Sequence, residues 1–177
     1  MSQPATTFLI RPVCPEECAA LGELTVAAYH ALPDLHRDAE SSARELDYDR
    51  QLRDVARRAE VSCVLVAVGA EGELLGGVTY VRGPDDPYSE GLSEGEAGMR
   101  MLAVDPAKQG HGAGKALVQA CLDRAGATGG ERLVLHTGPW MPTAIAMYEK
   151  MGFARRPDLD FTPVPGIDLI AYSFELD

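Results

Sequence analysis

The sequence predicts an α/β fold with a mixed central β-sheet of about six to seven strands, flanked by about four helices. Two observations carry this prediction. Segments with strand-like and helix-like patterns alternate through the 177 residues, and no internal repeat or linker separates them. Hydrophobic residues make up 46% and charged residues 24%, which is typical of a folded globular chain. We therefore predict a single domain over residues 1–177.

The N-terminal third is predicted to contain one strand followed by two helices. TTFLIRPV, at 6–13, has the composition of a strand, and Pro12 favours its end. Apolar residues recur at helical spacing through 15–32, and Pro15 suits the first turn of that helix. A second helix is predicted over about 42–60, with an apolar stripe and with i,i+4 ion pairs, including Asp54 with Arg58, on its solvent side.

The middle of the chain is predicted to be rich in strands. SCVLVAVGA at 62–70 and ELLGGVTYVRG at 73–83 are separated by a short polar turn, which indicates an antiparallel hairpin. A polar, acidic loop follows at 84–96, and AGMRMLAV at 97–104 is predicted to form the next strand.

The C-terminal part is predicted to alternate between helices and strands. A helix runs to about Ala127, where ATGG ends it because glycine favours the left-handed conformation beyond a helix terminus. ERLVLHT at 131–137 is predicted to be a buried strand, 142–153 a short helix and 167–176 the final strand. A further strand is predicted around 154–162.

Charge and cysteine content limit the classes of partner. The formal net charge of -11 argues against general nucleic-acid binding, which needs a concentrated basic face, and permits a cationic substrate. No segment has the pattern of a signal peptide or a membrane span, so we expect a cytoplasmic protein without a membrane partner. The four cysteines form no close CxxC pair, so we expect free thiols and no bound metal.

The stretch QGHGAGKA, at 109–116, is the most distinctive feature of the sequence. It carries three glycines directly before a helical pattern. Lys108, His111 and Lys115 surround it with basic groups, and no acidic residue lies among them. A helix N-terminus attracts anions because its first N–H groups are unpaired and carry partial positive charge. A helix start without acidic residues is therefore expected where the ligand itself brings the negative charge.

Two familiar phosphate-binding patterns fail on this stretch. The Walker A pattern requires a glycine where Gln109 stands, and a serine or threonine where Ala116 follows Lys115. The dinucleotide pattern GxGxxG requires glycine at its sixth position, and Lys115 occupies that position. A nucleotide-binding protein of either type is nearly excluded by these mismatches.

A third pattern, Q/R-x-x-G-x-G/A, fits the stretch at 109–114 without exception. Downstream, AIAMYEKMGF at 144–153 matches the segment A-x-x-x-Y-E-x-x-G-F. With both motifs in this order and one predicted strand between them, the sequence resembles the GNAT superfamily of acyl-CoA-dependent N-acetyltransferases. The resemblance covers residues 62–177 well, whereas the preceding part matches only in the order of its elements.

The resemblance implies the GNAT fold and acetyl-CoA as co-substrate. In the family, the glycine loop holds the coenzyme A pyrophosphate, and the preceding strand pairs with the pantetheine arm through main-chain groups. Carried over to this sequence, the cofactor-binding residues are Leu102, Ala103, Val104, Gln109, Gly110, His111, Gly112, Ala113, Gly114, Lys115 and Tyr148. A main-chain N–H near Leu102 is the expected partner of the developing oxyanion.

Direct acetyl transfer in a ternary complex also needs a proton donor for the leaving thiolate. Tyr148 is the predicted general acid, because a phenol hydroxyl can protonate a thiolate of similar or lower basicity. A tyrosine that only contacts the cofactor is the alternative. Many relatives carry an asparagine seven residues before this tyrosine, and Met141 stands there instead, so that contact is lost or moved.

The proton acceptor for the amine is less directly indicated by the sequence. The family's usual glutamate position falls on Gly98, and Glu96 lies two residues earlier on the same face of a regular strand. Glu96 is therefore the predicted general base, acting through water, with a solvated charge at the strand start as the alternative. Glu94 is a weaker substitute, and His136 is a further candidate that also suits a structural role. His111 lies too far along the cofactor, inside the glycine loop.

The acceptor is expected to be a small-molecule or peptide amine. In the family, its site is built largely by the first two helices, their connection and the C-terminal strands. Candidates for its lining, each with a plain surface role as the alternative, are Tyr29, His30, Asp34, His36 and Asp160, with Asp85, Asp86 and Glu90 adding negative potential. Two other functions stay open: a transferase of a different acyl group, and a non-catalytic coenzyme A-binding sensor or regulator. A homodimer is open as well.

Overall fold

The computed structural model describes the backbone of residues 8–32 and 39–177, and the side chains of residues 8–32 and 46–177. The strands in this part of the chain are β1 Leu9–Pro12, β2 Cys63–Val68, β3 Leu74–Val81, β4 Glu96–Val104, β5 Arg132–Thr137, β6 Ala154–Arg155, β7 Phe161–Val164 and β8 Ile167–Glu175. The α-helices are α1 Cys18–His30, α2 Ala39–Arg53, α3 Val55–Val61, α4 Ala113–Ala127 and α5 Pro142–Met151. The strand order is β1-β2-β3-β4-β5-β8-β6, and β7 pairs with β8. The predicted mixed α/β fold is confirmed.

The chain divides into two compact units that alternate along the sequence. The first unit comprises Met1–Thr79 and Met101–Ala120, and the second comprises Tyr80–Arg100 and Cys121–Asp177. The single domain inferred from the sequence stays a prediction.

In the first unit, β1 runs antiparallel to β2, with Leu9 opposite Val68. A tight turn follows β2, in which the Gly69 N–H donates to the Glu73 carbonyl at 2.9 Å, and β3 lies next to β2 as the hairpin pattern predicts. One buried hydrophobic cluster of this unit contains Cys18, Leu21, Val55, Val64, Val66 and Val68.

In the second unit, β4 pairs in parallel with β5 from Glu96 opposite Arg132 to Met99 opposite Leu135. β5 is antiparallel to β8 along its whole length. Paired residues project to the same side of a sheet, so the register defines two faces. We call one the helix face, formed by Ala97, Met99, Leu133, Leu135, Tyr172 and Phe174. We call the other the loop face, formed by Glu96, Gly98, Arg132, Val134, His136, Ala171 and Ser173.

The prediction of one continuous second helix over about 42–60 is wrong. It is divided into α2 and α3 at Asp54, whose φ of -80° and ψ of 58° lie outside the helical region. The Asp54 carboxylate instead accepts the Arg57 N–H at 3.3 Å and caps α3. Arg58 is buried rather than solvated, and it donates to Thr79 Oγ1 and to the carbonyls of Gln51 and Leu52. The Asp54 cap thus stabilises the start of α3, and the buried Arg58 guanidinium binds carbonyls at the end of α2.

The predicted strand around 154–162 is also modified. The structure has two short strands there, β6 and β7, separated by a 3-10 turn at Pro157–Leu159. Pro157, the first residue of this turn, has no N–H to donate to a neighbouring strand, which favours the interruption. The helix after the glycine loop has its predicted buried face, because Leu117, Val118 and Cys121 are 0% exposed.

Three further expectations concern cysteines, metals and membranes. Cys14, Cys18, Cys63 and Cys121 are free thiols, as the sequence predicts. Over residues 8–32 and 46–177, no three His, Cys, Asp or Glu side chains converge as a group that could hold a metal ion. In the part of the chain that is described, no helix combines the length and the apolar character needed to cross a bilayer.

Candidate functional site

The glycine loop, residues 109–115, leads into α4 in the first unit. Gly110 and Gly112 have φ values of 84° and 91°, a conformation that glycine adopts without the penalty of a Cβ. Among the described residues, a Cβ at Gly110 would meet no atom within 4 Å, and one at Gly112 would reach only Phe8 Cζ at 4.0 Å. With respect to this part of the chain, the space beside both glycines is open, and a ligand can approach the main chain closely.

The start of α4 presents donors for an anion. The Ala116 N–H donates to the Gly112 carbonyl at 3.0 Å, a bond of the first turn of this helix. The earlier N–H groups of a helix have no partner inside it and carry partial positive charge. The first turn contains no acidic residue, and Lys115 is exposed there. Amide donors, a helix dipole and a lysine together fit a diphosphate group.

Two polar side chains next to or within the glycine loop make hydrogen bonds to nearby main-chain groups. Asp105 is the nearest acidic residue before the loop in the chain, and its carboxylate accepts the Ala107 N–H at 2.9 Å to cap the preceding 3-10 turn. His111 is exposed, and its Nδ1 lies 3.3 Å from the Lys108 carbonyl. The loop therefore keeps the basic character that the sequence indicates.

The end of β4, where Leu102, Ala103 and Val104 lie, has an irregular backbone. Met101 has a φ of 54°, the only positive value at a non-glycine residue in the described ranges. Such a conformation costs on the order of 1–3 kcal/mol and breaks the regular alternation of N–H directions along a strand. On β3, a Cβ at Gly76 would collide with the Ala103 carbonyl, so glycine is needed for this close approach.

In the second unit, Tyr148 of α5 is 5% exposed and packs beside the helix face. Its ring lies 5.8 Å from the Phe153 ring, which lies 5.5 Å from Phe174. Burial raises the pKa of Tyr148 above its ordinary value, with a further contribution from Cys121. The phenol is consequently neutral at physiological pH.

The end of α5 explains the spacing of the motif Y-E-x-x-G-F. Gly152 has a φ of 100°, and its N–H donates to the Glu149 carbonyl at 3.0 Å. The Phe153 N–H donates to the Tyr148 carbonyl, also at 3.0 Å. These two bonds form a Schellman motif, in which glycine ends the helix and the following residue turns back. The turn brings Phe153 against the Tyr148 ring.

Glu96 lies at the start of β4, and both of its carboxylate oxygens are engaged. Oε1 pairs with Arg132 Nη1 at 2.9 Å, and Oε2 accepts the Ser93 N–H at 2.9 Å. The Arg132 guanidinium also pairs with Glu175, and these two carboxylates hold the pKa of Arg132 above its ordinary value. Glu96 is thus part of an ion-pair network that joins β4, β5 and β8.

The polar loop before β4 brings Glu90 to the loop face, where it joins two basic side chains. Glu90 Oε1 lies 2.9 Å from Arg100 Nη2, and Glu90 Oε2 lies 3.5 Å from His136 Nδ1. The Arg100 guanidinium also lies over the Tyr88 ring at 5.9 Å. His136 Nε2 lies 2.9 Å from the Leu159 carbonyl. The sequence indicates Glu90 and His136 separately, but it does not indicate Arg100 or the cluster.

Gly98, where the family's usual glutamate is expected, is covered by the same loop. A Cβ at Gly98 would lie 3.2 Å from Leu92 Cδ1 and 3.4 Å from the Val134 carbonyl. The space that a side chain at position 98 would use is therefore taken by Leu92.

The α1 residues predicted to line the site of the amine acceptor have close neighbours in the first unit. The Tyr29 and Tyr48 rings meet edge to face at 5.9 Å, and His30 Nε2 lies 3.0 Å from Asp49 Oδ1. Asp34 and His36 lie outside the described residues.

The remaining acidic candidates belong to the second unit. Asp160 pairs with Arg155 at 2.6 Å and accepts the Ala171 N–H at 2.9 Å, and Arg155 lowers the pKa of Asp160. Asp86 accepts the Tyr88 N–H at 3.0 Å inside the polar loop, and Asp85 is exposed. Asp86 and Asp160 therefore have structural partners of their own.

Comparison with known proteins gives a family match and a related sequence. Residues 27–153, more than half of the chain, match the family model described as Acetyltransferase (GNAT) family. The IAA acetyltransferase of Azospirillum brasilense is 31% identical over 138 residues, which cover 77% of this chain and 71% of that protein.

Solved structures share the fold over nearly the whole chain. A GCN5-related N-acetyltransferase from Rhodopseudomonas palustris has a TM-score of 0.73 at 21% identity, covering 99% of this chain and 100% of that chain. The structure of yncA from Salmonella typhimurium, solved with its cofactor acetyl-CoA, has a TM-score of 0.62 at 23% identity and covers 96% and 94%, respectively. At these identities, the likeness shows the fold.

Proposed function

Because the chain belongs to the acetyltransferase (GNAT) family, we propose that it moves the acetyl group of acetyl-CoA to a primary amine by direct attack in a ternary complex. The observation that carries this proposal is the glycine loop at the start of α4. Its open space, its amide donors and the exposed Lys115 suit the diphosphate of coenzyme A. Acetyl-CoA supplies the acetyl group as an activated thioester.

The main chain before the loop is suited to the pantetheine arm. Residues 102–104 end β4 directly before the turn that leads into the glycine loop. The positive φ of Met101 turns the adjoining peptide away from the strand pattern, which supports the Leu102 N–H as donor to the developing oxyanion. Tyr148 is the proposed general acid; its raised pKa keeps the phenol protonated until the thiolate forms, although it also makes the phenol a weaker donor.

The proton acceptor predicted from the sequence is Glu96, acting through water. Its two engaged oxygens favour the structural role that the sequence leaves open as the alternative. Glu96→Gln breaks the ion pair with Arg132 between β4 and β5, so it should lower the melting temperature. A loss of turnover in the folded variant would assign the proton-accepting role to Glu96.

Acetyl-CoA binding is tested by thermal unfolding. Acetyl-CoA at about 100 times its Kd should stabilise the wild type by about 2.7 kcal/mol and raise its melting temperature. Gly112→Glu and Lys115→Glu should each weaken binding at least about tenfold, because each places a carboxylate at the diphosphate site. Gly126→Glu adds the same charge at the open, opposite end of α4 and should bind acetyl-CoA as the wild type does. A wild type whose melting temperature does not respond to acetyl-CoA would overturn the proposal.

Turnover is tested by following free thiol release from acetyl-CoA with a panel of acceptors. The panel should contain an aminoglycoside, spermidine, an amino acid, a peptide with a free N-terminus, and IAA, which the Azospirillum relative carries in its name. Activity with an amine supports the N-acetyltransferase and identifies the acceptor class. Saturable acetyl-CoA binding without turnover would favour the sensor instead, and higher activity with a longer acyl-CoA would favour a different acyl group.

A further inference from the structure

Two adjacent glycines, Gly76 and Gly77, lie inside β3, although glycine weakens a strand. A glycine inside a strand marks a bulge or a place where another main chain approaches closely. We propose that Gly76 is a positioning residue for acetyl-CoA: because it has no side chain, the end of β4 can direct the Val104 N–H toward the pantetheine arm. This inference rests on the proposed acetyl transfer and deepens it.

The two glycines face opposite sides of β3, as successive positions of a strand do. A Cβ at Gly77 would lie 2.8 Å from Leu21 Cδ1, so that side of the strand faces α1. A Cβ at Gly76 would instead overlap the Ala103 carbonyl oxygen and lie 3.1 Å from Val104 Cα. Gly76 is therefore the glycine that lies against the main chain at the end of β4.

This close approach shows how the peptide between Ala103 and Val104 is oriented. In a regular sheet, a carbonyl points at the neighbouring strand within the plane of the sheet, and a Cβ stands out of that plane. The Ala103 carbonyl oxygen lies where a Cβ of Gly76 would be, so it is tilted out of the plane, away from α1. The peptide is trans, with C=O and N–H in opposite directions. The Val104 N–H therefore points away from β3 and tilts toward the side of α1.

The tilted peptide belongs to a short irregular stretch with defined ends. Before it, Met101 has a φ of 54°, which breaks the alternation of N–H directions along the strand. After it, the Asp105 N–H donates to the Leu75 carbonyl at 2.8 Å and holds the chain to β3. The irregular stretch thus lies opposite Gly76, and it includes residues 102–104, which are proposed to contact the pantetheine arm.

A side chain at position 76 would change the direction of these donors. The pantetheine arm contains amide groups, whose carbonyls accept hydrogen bonds from main-chain N–H groups. A methyl group at Gly76 would push the Ala103 carbonyl back toward the plane of the sheet, and the Val104 N–H would rotate with it because the peptide is planar. The Leu102 N–H, proposed as donor to the oxyanion, would be displaced by the same change in the main chain.

Gly76→Ala tests whether the pantetheine arm and the nucleotide are affected separately. The two probes are acetyl-CoA and 3′-phosphoadenosine diphosphate, which has the nucleotide and the diphosphate of coenzyme A but no pantetheine. Gly76→Ala should weaken acetyl-CoA binding about tenfold, the equivalent of one or two main-chain hydrogen bonds, and should change the Kd for the nucleotide less than about twofold. Calorimetric titration measures both Kd values.

Gly77→Ala is the matched control. It adds the same methyl group to the next residue of β3, where the Cβ would lie 2.8 Å from Leu21 Cδ1 and 3.1 Å from the Leu65 carbonyl. Both variants should lower the melting temperature, whereas only Gly76→Ala should change the ratio of the two Kd values. An equal change of this ratio in both variants would overturn the proposal, because it would reflect general strain in β3.

Steady-state kinetics with the most active amine of the panel give a second readout. Gly76→Ala should raise KM for acetyl-CoA and lower kcat about tenfold, because the thioester loses its alignment with the main-chain donors. Gly77→Ala should keep both constants near those of the wild type at temperatures at which it is folded. A Gly76→Ala protein with wild-type KM and kcat would contradict the proposed role.

Hydrogen exchange of the wild type gives a test that does not depend on the folding of a variant. Acetyl-CoA should slow the exchange of the Val104 N–H at least about tenfold more than 3′-phosphoadenosine diphosphate does, because only acetyl-CoA carries the acceptor for this group. NMR follows the individual amide. Equal slowing by both ligands would overturn the proposal.

The outcomes distinguish this inference from the acetyl transfer itself. If the wild type binds acetyl-CoA and releases thiol with an amine, but Gly76→Ala keeps the wild-type ratio of Kd values, Gly76 is not a positioning residue and the acetyltransferase stands. If the wild type neither binds acetyl-CoA nor releases thiol, the proposed function fails, and the inference that rests on it fails as well.

Discussion

At the scale of single residues, Tyr148 illustrates how burial keeps an ionisable side chain in one protonation state. The ring is 5% exposed, packed by Phe153, and the pKa of its hydroxyl is raised by desolvation. A raised pKa extends the pH range over which the phenol is protonated. Deprotonation of Tyr148 is therefore not expected to reduce kcat at any pH below about 10.

Tyr148→Phe should lower kcat by about 100-fold and change the Kd for acetyl-CoA by less than about threefold, because it removes only the proton donor. Steady-state kinetics and calorimetric titration measure the two quantities separately. Tyr172→Phe is the control, since it deletes a hydroxyl that donates to Glu149 at 3.2 Å on the same face of the sheet. Equal kcat values for Tyr148→Phe and the wild type would remove Tyr148 as the acid.

At the scale of the element, the end of α5 depends on one glycine. Gly152 combines a φ of 100° with a close neighbour, because a Cβ there would lie 3.2 Å from Phe174 Cε2. Any other residue at this position would strain the backbone and displace the ring that supports Phe153 and, through it, Tyr148.

Gly152→Ala should reduce the free energy of unfolding by about 1–2 kcal/mol, from the positive φ and the contact with Phe174. Gly126→Ala should instead increase it by about 0.5–1 kcal/mol, because Gly126 lies inside α4 with open space around it. Urea denaturation of both variants and the wild type checks the signs. A Gly152→Ala protein as stable as the wild type would contradict the role given to this turn.

At the scale of the whole molecule, the single domain predicted from the sequence is tested by cooperativity. Trp140, the only tryptophan of the sequence, lies in the second unit, so its fluorescence reports on that unit. Circular dichroism reports on the helices of both. In one domain the two transitions should coincide in midpoint and slope during urea unfolding. Two separated transitions would show that the units unfold independently.

The sequence by itself determined the features that arise between near neighbours in the chain. Helical periodicity, strand patterns, the glycines of residues 109–115 and the turn at Gly152 all follow from interactions over a few residues. The paired motifs indicate the family in the same way. These features predicted the mixed sheet, the helix after the glycine loop and its buried face.

Only the tertiary structure decided which distant groups meet. At the division of the second predicted helix, Arg58 is buried and donates to Thr79. Because Thr79 lies outside this helix, the helical periodicity gives no sign of the contact. The cluster of Glu90, Arg100 and His136 depends on the path of a polar loop that has no periodic pattern. Such contacts form because closing the sheet brings remote side chains together and the resulting burial outweighs the entropy of ordering the loop. Local sequence determines the elements and the anion-binding turn, and the packed sheet determines the partners of each ionisable group.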